Sequence, residues 1–385
     1  IAGTSWAWGA RVVRSQTMAL REKEFVKAAE VLGESSFRII FVEILPNLIP
    51  IVGASFIGSH LCEALMQLNC RTVDVLDDLS TGLFSNIEHL TKSSGWGLHF
   101  HRADVREVSQ HWFRGYDVVF HLAAVHGGRG FIDLRPADVS INLAIDASAF
   151  HKYHAADVER IVFASSGCVY PTTLQHNVRM THVLQEEEVG PPYQPDGMYG
   201  FAKLASEECL EALWKQYGQL SASCRFFTAY GPRALEDHAI MAMIARAFID
   251  QSPFELWGNG EQRRNWTYVS DIVNGLLIGA EKCDTAGHLR FNVGSGVSNT
   301  VREAADFVQA AFASRYPDYK LAPYQFLTTK PVGVLNRVCD TFFAESLGWE
   351  CMVPLRYGIE RTVEWYVQHK DRDQVREQLE NLLKG

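Results

Sequence analysis

Three β-rich runs separated by stretches of helical pattern constrain this chain more than any other feature. RTVDVLDDLSTG (71–82), YDVVFHLAA (116–124) and RIVFASSGCVY (160–170) each contain an apolar strand, and a helical segment follows each one. Strands divided by helices cannot close as tight hairpins, so each crossover lays the new strand parallel to the last. A parallel sheet needs helices over both faces, and its strands then read as near-continuous apolar runs. The expectation is an α/β fold with a doubly wound parallel sheet. After YGPR (230–233) the pattern becomes irregular, which suits a smaller C-terminal lobe. Residues 1–50 differ again, being helical in pattern, basic early, and broken by Gly33, Pro46 and Pro50. With 385 residues and no internal repeat, the chain has room for two or three such units.

Composition removes several function classes. The chain carries 36 basic and 45 acidic residues, a formal net charge of −9, which leaves no electrostatic footprint for nucleic acid. Its eight cysteines are scattered, with no C-x-x-C pair and no Cys/His cluster at zinc spacing. A reduced, cytoplasmic chain without a metal site is therefore expected. No run of about 18 apolar residues is present, so neither a membrane span nor a signal peptide is expected. The first residue is Ile rather than Met, which reads as a fragment or a processed product.

Two motifs carry chemistry. In IVGASFIGSHL (51–61), Gly53 and Gly58 open a helical stretch, but a G-x-x-G-x-x-G dinucleotide turn counted back from Gly58 meets Ser55 and then Val52. Asp77 follows Gly58 by 19 residues at the end of a strand. An acidic residue there can accept hydrogen bonds from an adenosine ribose and favours NAD over NADP, though an aspartate at a strand end also serves simply as a turn former. The second motif is YGFAK, in which Tyr199 and Lys203 share one helix face. A free phenol, with a pKa of about 10, is a poor base at neutral pH. A cation one turn away favours the phenolate and makes it useful for proton transfer beside hydride chemistry. YPDYK repeats the spacing with Tyr316 and Lys320, but in a proline-containing loop context that reads as coincidence.

Taken together, FIGSHL, VLDDLSTG, FHLAA, FASSGCVYP, MYGFAKLASE, RFFTAYGPR, FELWGNGEQRRNWTYVSDI, FNVGSG and ESLGWE run in one order over residues 52–385. In that order they resemble the extended short-chain dehydrogenase/reductase family, in its nucleotide-sugar epimerase/dehydratase group. The resemblance implies an NAD-binding Rossmann domain over 51–232 with a return near 262–292, and a lobe over 233–385 that binds a nucleoside-diphosphate sugar. By position, Ser166, Tyr199 and Lys203 form the catalytic triad. Gly53, Ser55, Phe56, Ile57, Gly58 and Asp77 hold the cofactor, with Asp104 near adenine and Ala123 near the pyrophosphate, and Tyr199 and Lys203 also contact it. A homodimer through a helix bundle is also implied.

Within the group, sugar 4,6-dehydratases carry an Asp-Glu pair after the triad Ser or Thr, where this chain has Gly167 and Cys168. Elimination of water is therefore disfavoured. SSGCVYP is instead similar to the cysteine-bearing strand end of the GDP-mannose 3,5-epimerase and GDP-fucose synthase branches. AAVHGGRGFI (123–132) resembles the 3,5-epimerase loop that lies over the sugar, which assigns Gly128 and Arg129 to substrate. EDHAIMAMIARAF (236–248) aligns with the segment supplying the opposing acid, here His238. Arg264 looks like the family's diphosphate arginine, and Arg337 is a second candidate or a surface charge. Thr228 stands where the family usually has an Asn that contacts substrate.

These residues compose a mechanism. Tyr199 takes the C4 hydroxyl proton as hydride passes to NAD, and the resulting ketone acidifies the hydrogens on C3 and C5. Cys168, as thiolate, removes one; His238 supplies the opposite face; the hydride then returns. The alternative is a UDP-sugar 4-epimerase using only Ser166, Tyr199 and Lys203. An alternative of another class is an impaired fusion that acts as a binding protein. That last reading draws on residues 1–50, which resemble the cytoplasmic coupling loop of peptide-type ABC transporter permeases through Ala28, Ala29, Gly33 and Ile44-Leu45-Pro46, with Lys27 replacing the motif's Glu. Transport itself is not expected without membrane helices. On this view IVGASFIGSHL is a joint, and the Ser55 Cβ crowds the cofactor's approach.

Overall fold

The computed structural model describes residues 50–68, 70, 72–91, 97–176 and 182–384. The permease-like readings at Lys27, Ala28, Ala29, Gly33 and Ile44-Leu45-Pro46 lie outside these residues. The main sheet has seven strands: β1 (Pro50–Val52), β2 (Thr72–Asp77), β3 (Gly97–Arg102), β4 (Val118–His121), β5 (Arg160–Ser166), β6 (Leu220–Phe226) and β7 (His288–Val293). They lie in the order β7-β6-β5-β4-β1-β2-β3, and every pairing is parallel. This is the doubly wound sheet anticipated from the alternating pattern. β1, described from Pro50 onward, pairs with β2 on one side and β4 on the other.

The helices that matter for the site are α1 (Phe56–Gln67), α2 (Arg129–Leu134), α3 (Asn142–Ala155), α4 (Gly197–Tyr217), α5 (Ala239–Phe248), α6 (Val269–Ala286), α7 (Val301–Arg315) and α8 (Leu355–His369). Side chains alternate across each strand, and the two faces of the sheet bury against different helices. Val73, Val118, Phe120 and Val162 pack with Leu61 and Leu65 of α1 and with Ile272 and Leu276 of α6. Val119, Ile161 and Phe163 face the other way, onto Ile145, Ala149 and Phe150 of α3 and Leu210 and Leu213 of α4. Both layers are needed because β4 and most of β5 are buried.

After β6 the chain leaves the sheet and builds a lobe before returning through α6 and β7. The lobe contains a four-stranded sheet in which Arg263–Asn265 runs antiparallel to Ser298–Thr300 and parallel to Asn336–Cys339, with Val183–Leu184 at its edge. α5, α7 and α8 close around a second core that includes Met241, Ile244, Phe254, Ala305, Val308, Ile359 and Val363. The lobe thus sits beside the C-terminal ends of β5 and β6, where crevices form in open α/β sheets. Among the described residues no helix is long and apolar enough to cross a membrane. None holds a cluster of His, Cys, Asp and Glu fit for a metal ion.

Candidate active site

One end of the site is the turn from β1 into α1. A Cβ on Gly58 would lie 2.0 Å from the Gly53 carbonyl oxygen, so only glycine lets the helix start this close to the strand. Asp77, at the end of β2, ties the turn down. Its Oδ2 accepts from Ala54 N at 2.7 Å and its Oδ1 from Leu79 N at 2.7 Å, while burial pushes its carboxyl above the usual carboxylate range. A cleft of about 320 Å³ opens here, lined by Gly53, Ser55, Asp77, Asp104, Ala123, His121 and His126 among others. Ser55 stands at the N-cap of α1, but its hydroxyl makes no capping hydrogen bond. Phe56 and Ile57 begin the helix and pack toward the second core. Asp104 is paired with Arg106 at the rim, and that guanidinium holds its carboxyl below the ordinary range.

The other end is built where β5 stops. Ser166 is the last residue of the strand, and its Oγ accepts from Cys168 N at 3.1 Å, capping a single 3-10 turn over Gly167–Val169. α4 starts against that turn. A Cβ on Gly200 would lie 2.2 Å from the Cys168 carbonyl oxygen, and Asp196 N donates to the same oxygen at 2.8 Å. Tyr199 and Lys203 therefore rise on a helix wedged onto Ser166 and Cys168. Lys203 is 2% exposed, with Nζ 4.4 Å from the Phe163 ring centroid and 5.9 Å from that of Tyr199. Burial pulls its ammonium down, opposed by Asp146 and Glu207. Burial, together with Cys168 and Asp146, pushes the Tyr199 phenol up. The decoy pair differs in setting, for Tyr316 caps the end of α7 and Lys320 follows the helix.

A network beneath Lys203 escaped the sequence reading. The buried Asp146 accepts from Ser206 Oγ at 2.7 Å and meets His121 Nε2 at 2.9 Å, while His121 Nδ1 meets Tyr153 Oη at 2.9 Å. Every polar atom in this group has a partner, as burial demands. Against its own burial, Lys203 and His121 hold the Asp146 carboxyl below its ordinary range.

Three guanidiniums meet beside the Gly167–Val169 turn, Arg337 and Arg264 from the lobe and Arg129 from the start of α2. Arg337 is buried, not a surface charge. Its Nη1 donates to Cys168 Sγ at 3.0 Å, Nη2 to Asp196 Oδ2 at 2.6 Å and Nε to Gln175 Oε1 at 2.8 Å. Arg129 grips Asp196 through Nη1 at 2.6 Å and Nη2 at 3.1 Å. Burial would raise the Asp196 carboxyl, but the two arginines hold it at about 2. Arg264 donates only to carbonyls, those of Arg263, Val332, Val334 and Leu335. Burial, with Arg337 and Arg129 nearby, pulls it down to about 9. Arg129 also pairs with Asp133, so three cations stand against two carboxylates, and the single excess positive charge suits an anion.

His238 caps the start of α5 and lies beside His126, their ring centroids 6.0 Å apart. Burial, then His238 and Lys203, pulls His126 down to about 4. Gly128 ties the glycine-rich loop to this arm, its N–H donating to Asp237 Oδ2 at 2.7 Å. Thr228, in the bend after β6, has φ of 26°, a region that β-branched residues avoid.

The family model described as the NAD dependent epimerase/dehydratase family matches residues 49–294. The chain belongs to that family. Residues 1–60 match a second model, for the binding-protein-dependent transport system inner membrane component, so the two overlap across 49–60. GDP-mannose 3,5-epimerase 1 of Oryza sativa subsp. japonica is 29% identical over 338 residues, covering 85% of this chain and 83% of the relative. A putative UDP-glucose 4-epimerase of Methanocaldococcus jannaschii is also 29% identical, over 323 residues, with 81% and 96% covered. Among solved structures, Thermus thermophilus UDP-glucose 4-epimerase in complex with NAD superposes with a TM-score of 0.69 at 25% identity, covering 84% of this chain and 100% of its own.

The chain is thus an enzyme of epimerase type whose family cofactor is NAD. Its residues fit that cofactor. Gly58 permits the tight turn before a 12-residue helix, and Asp77 faces the cleft with both oxygens already aligned by backbone N–H groups.

Proposed function

We propose that this member of the epimerase/dehydratase family is a nucleotide-sugar epimerase that oxidises C4 transiently and inverts C3 or C5, as a GDP-mannose 3,5-epimerase does. The observation that carries the reading is Cys168. Its thiol stands on the turn capped by Ser166, against the Tyr199 helix and 3.0 Å from a guanidinium. A 4-epimerase has no use for a base there.

NAD, when bound, accepts the C4 hydride and returns it. Gly53, Ser55, Phe56, Ile57, Gly58, Asp77, Asp104, Ala123, Tyr199 and Lys203 hold it on this reading. Tyr199 receives the C4 hydroxyl proton, helped by the Lys203 charge and by the Ser166 hydroxyl. With C4 a ketone, Cys168 takes the neighbouring carbon-bound proton and His238 delivers one from the opposite face, so the centre inverts. Arg264 lies toward the sugar diphosphate and Gly128 and Arg129 cover the sugar, whereas Arg337 is held by Cys168, Asp196 and Gln175 instead. Thr228, lacking an amide, contacts it less well than Asn.

Turnover in heavy water is the test. Deuterium should enter GDP-mannose at C3 or C5 in the wild type and vanish in Cys168→Ser. Inversion at C4 without deuterium uptake would sink this reading in favour of the UDP-sugar 4-epimerase, which the M. jannaschii relative supports.

A further inference from the structure

Arg337 was expected to serve the diphosphate, yet all three of its donor nitrogens are committed within the protein. Nη1 meets Cys168 Sγ at 3.0 Å, Nη2 meets Asp196 Oδ2 at 2.6 Å and Nε meets Gln175 Oε1 at 2.8 Å. Three partners fix the plane of the guanidinium and its approach to the sulfur. Asp196 reaches the same cysteine a second way, since its backbone N–H donates to the Cys168 carbonyl at 2.8 Å. One residue therefore grips the main chain of the turn and the cation facing its side chain. The other charged or titratable groups that influence Cys168 are Tyr199 and Lys203 on α4 and Arg264 on the adjacent lobe strand, with Arg129 one step further through Asp196. Cations dominate this shell, and Asp196 is the carboxylate that tempers the nearest of them.

We propose that Arg337, aligned by Asp196 and Gln175, is the positioning residue for Cys168: it supplies the positive charge against which the sulfur gives up and regains its proton, and Asp196 sets how much of that charge the sulfur feels. This rests on the reading of Cys168 as the base. In the step, an S–H bond forms as the C–H bond beside the ketone breaks. The electron pair remains on the sugar as an enolate, and Arg337 keeps Asp196 as its one anionic partner until the thiol ionises again.

The test is a pH titration of the ultraviolet thiolate absorbance of the NAD-supplemented full chain, with Cys168→Ser subtracted. The readout is each variant's midpoint relative to that of the wild type. Arg337→Gln should raise it by about one pH unit, about tenfold less thiolate per thiol at a given pH. Arg337→Lys, which keeps the charge without the fork, should recover part of that. Asp196→Asn retains the backbone bond to Cys168 but frees the guanidinium, so its midpoint should fall. A purely structural role would move Arg337→Gln and Asp196→Asn in the same direction or neither, and either outcome overturns the proposal. Because no sugar is present, the result stands apart from the heavy-water experiment. Opposite shifts without deuterium uptake would uphold the positioning and reject the 3,5-epimerase reading.

Discussion

Gly200→Ala should be far more damaging than helix propensity allows. Glycine inside a helix is disfavoured against alanine by about 0.5–1 kcal/mol, so on backbone grounds alone the change should stabilise α4. The added Cβ, however, would sit 2.2 Å from the Cys168 carbonyl oxygen, where a close C···O contact is about 3.3 Å. The obstacle cannot swing aside: it is backbone, held by Asp196 N, and Pro195 Cβ stands 3.2 Å away on another side. α4 must back off by roughly 1 Å, and the gap that opens lies between Tyr199 and Lys203 on the helix and Ser166 and Cys168 on the turn. A misplacement of that size costs about 10²-fold in rate, about 2.7 kcal/mol of barrier. Overpacking costs about 1–3 kcal/mol of stability, which outweighs the propensity gain. The assay pairs deuterium uptake at C3 or C5 with a urea melt and an NAD titration. Uptake should slow about a hundredfold and the urea midpoint should fall, while NAD affinity should fall far less, because on the proposed reading most of the cofactor's contacts lie at the β1–α1 turn and β2 rather than on α4. A variant with a raised urea midpoint and near-normal uptake would show that the helix and the turn are not in hard contact.

Two further substitutions probe places where this chain departs from its family's pattern. Ser55 makes no capping bond and has φ of −71°, so Ser55→Gly costs only a few tenths of a kcal/mol of stability while clearing its Cβ from the cleft. NAD binding by calorimetry should tighten by up to about tenfold, about 1.4 kcal/mol; an unchanged or weaker Kd removes Ser55 as an obstacle. Thr228→Asn puts a residue that tolerates positive φ at the 26° position and should relieve about 1 kcal/mol of strain. The urea midpoint should rise, and a fall would mean that the threonine methyl packs better than the backbone strain costs.

Local sequence carried the frame of the fold and the residues that one element presents together. Strand–helix alternation fixed a parallel sheet, and Tyr199 and Lys203 were visible because a helix sets their spacing. Cys168 was singled out only through the resemblance of SSGCVYP to a cysteine-bearing strand end, and it stands on the turn that follows β5. What stayed hidden are contacts between distant segments. Arg337 and Cys168 are 169 positions apart, and Arg337 and Asp196 are 141 apart. No periodicity reports such pairs. Asp196 stands at a helix start and Asp146 on the buried face of a helix beside His121, and neither carries a local signal of its role. Arg264 and Arg337 were recognisable as arginines of a site, but only the fold reveals that one is spent on carbonyls and the other on a thiol and a carboxylate.

The place of β1 in the sheet has a consequence for how the sheet breathes. β1 meets β2 at Ile51↔Asp74 and Val52↔Val75 and β4 at Pro50↔Val118 and Ile51↔Val119, so it is the strand that joins β2–β3 to β4–β7. The sheet is two blocks of strands spliced at β1, and α1 and α6 pack across both blocks. Cooperative units of this kind open below the global unfolding free energy. The β2–β3 ladder carries Asp77, one wall of the cleft, while Ser166 and Cys168 ride on the other ladder. A dinucleotide touching both walls acts as a staple across the splice, so that whatever loosens the ladder weakens the ligand's hold, and the bound ligand returns the same free energy as protection against amide exchange.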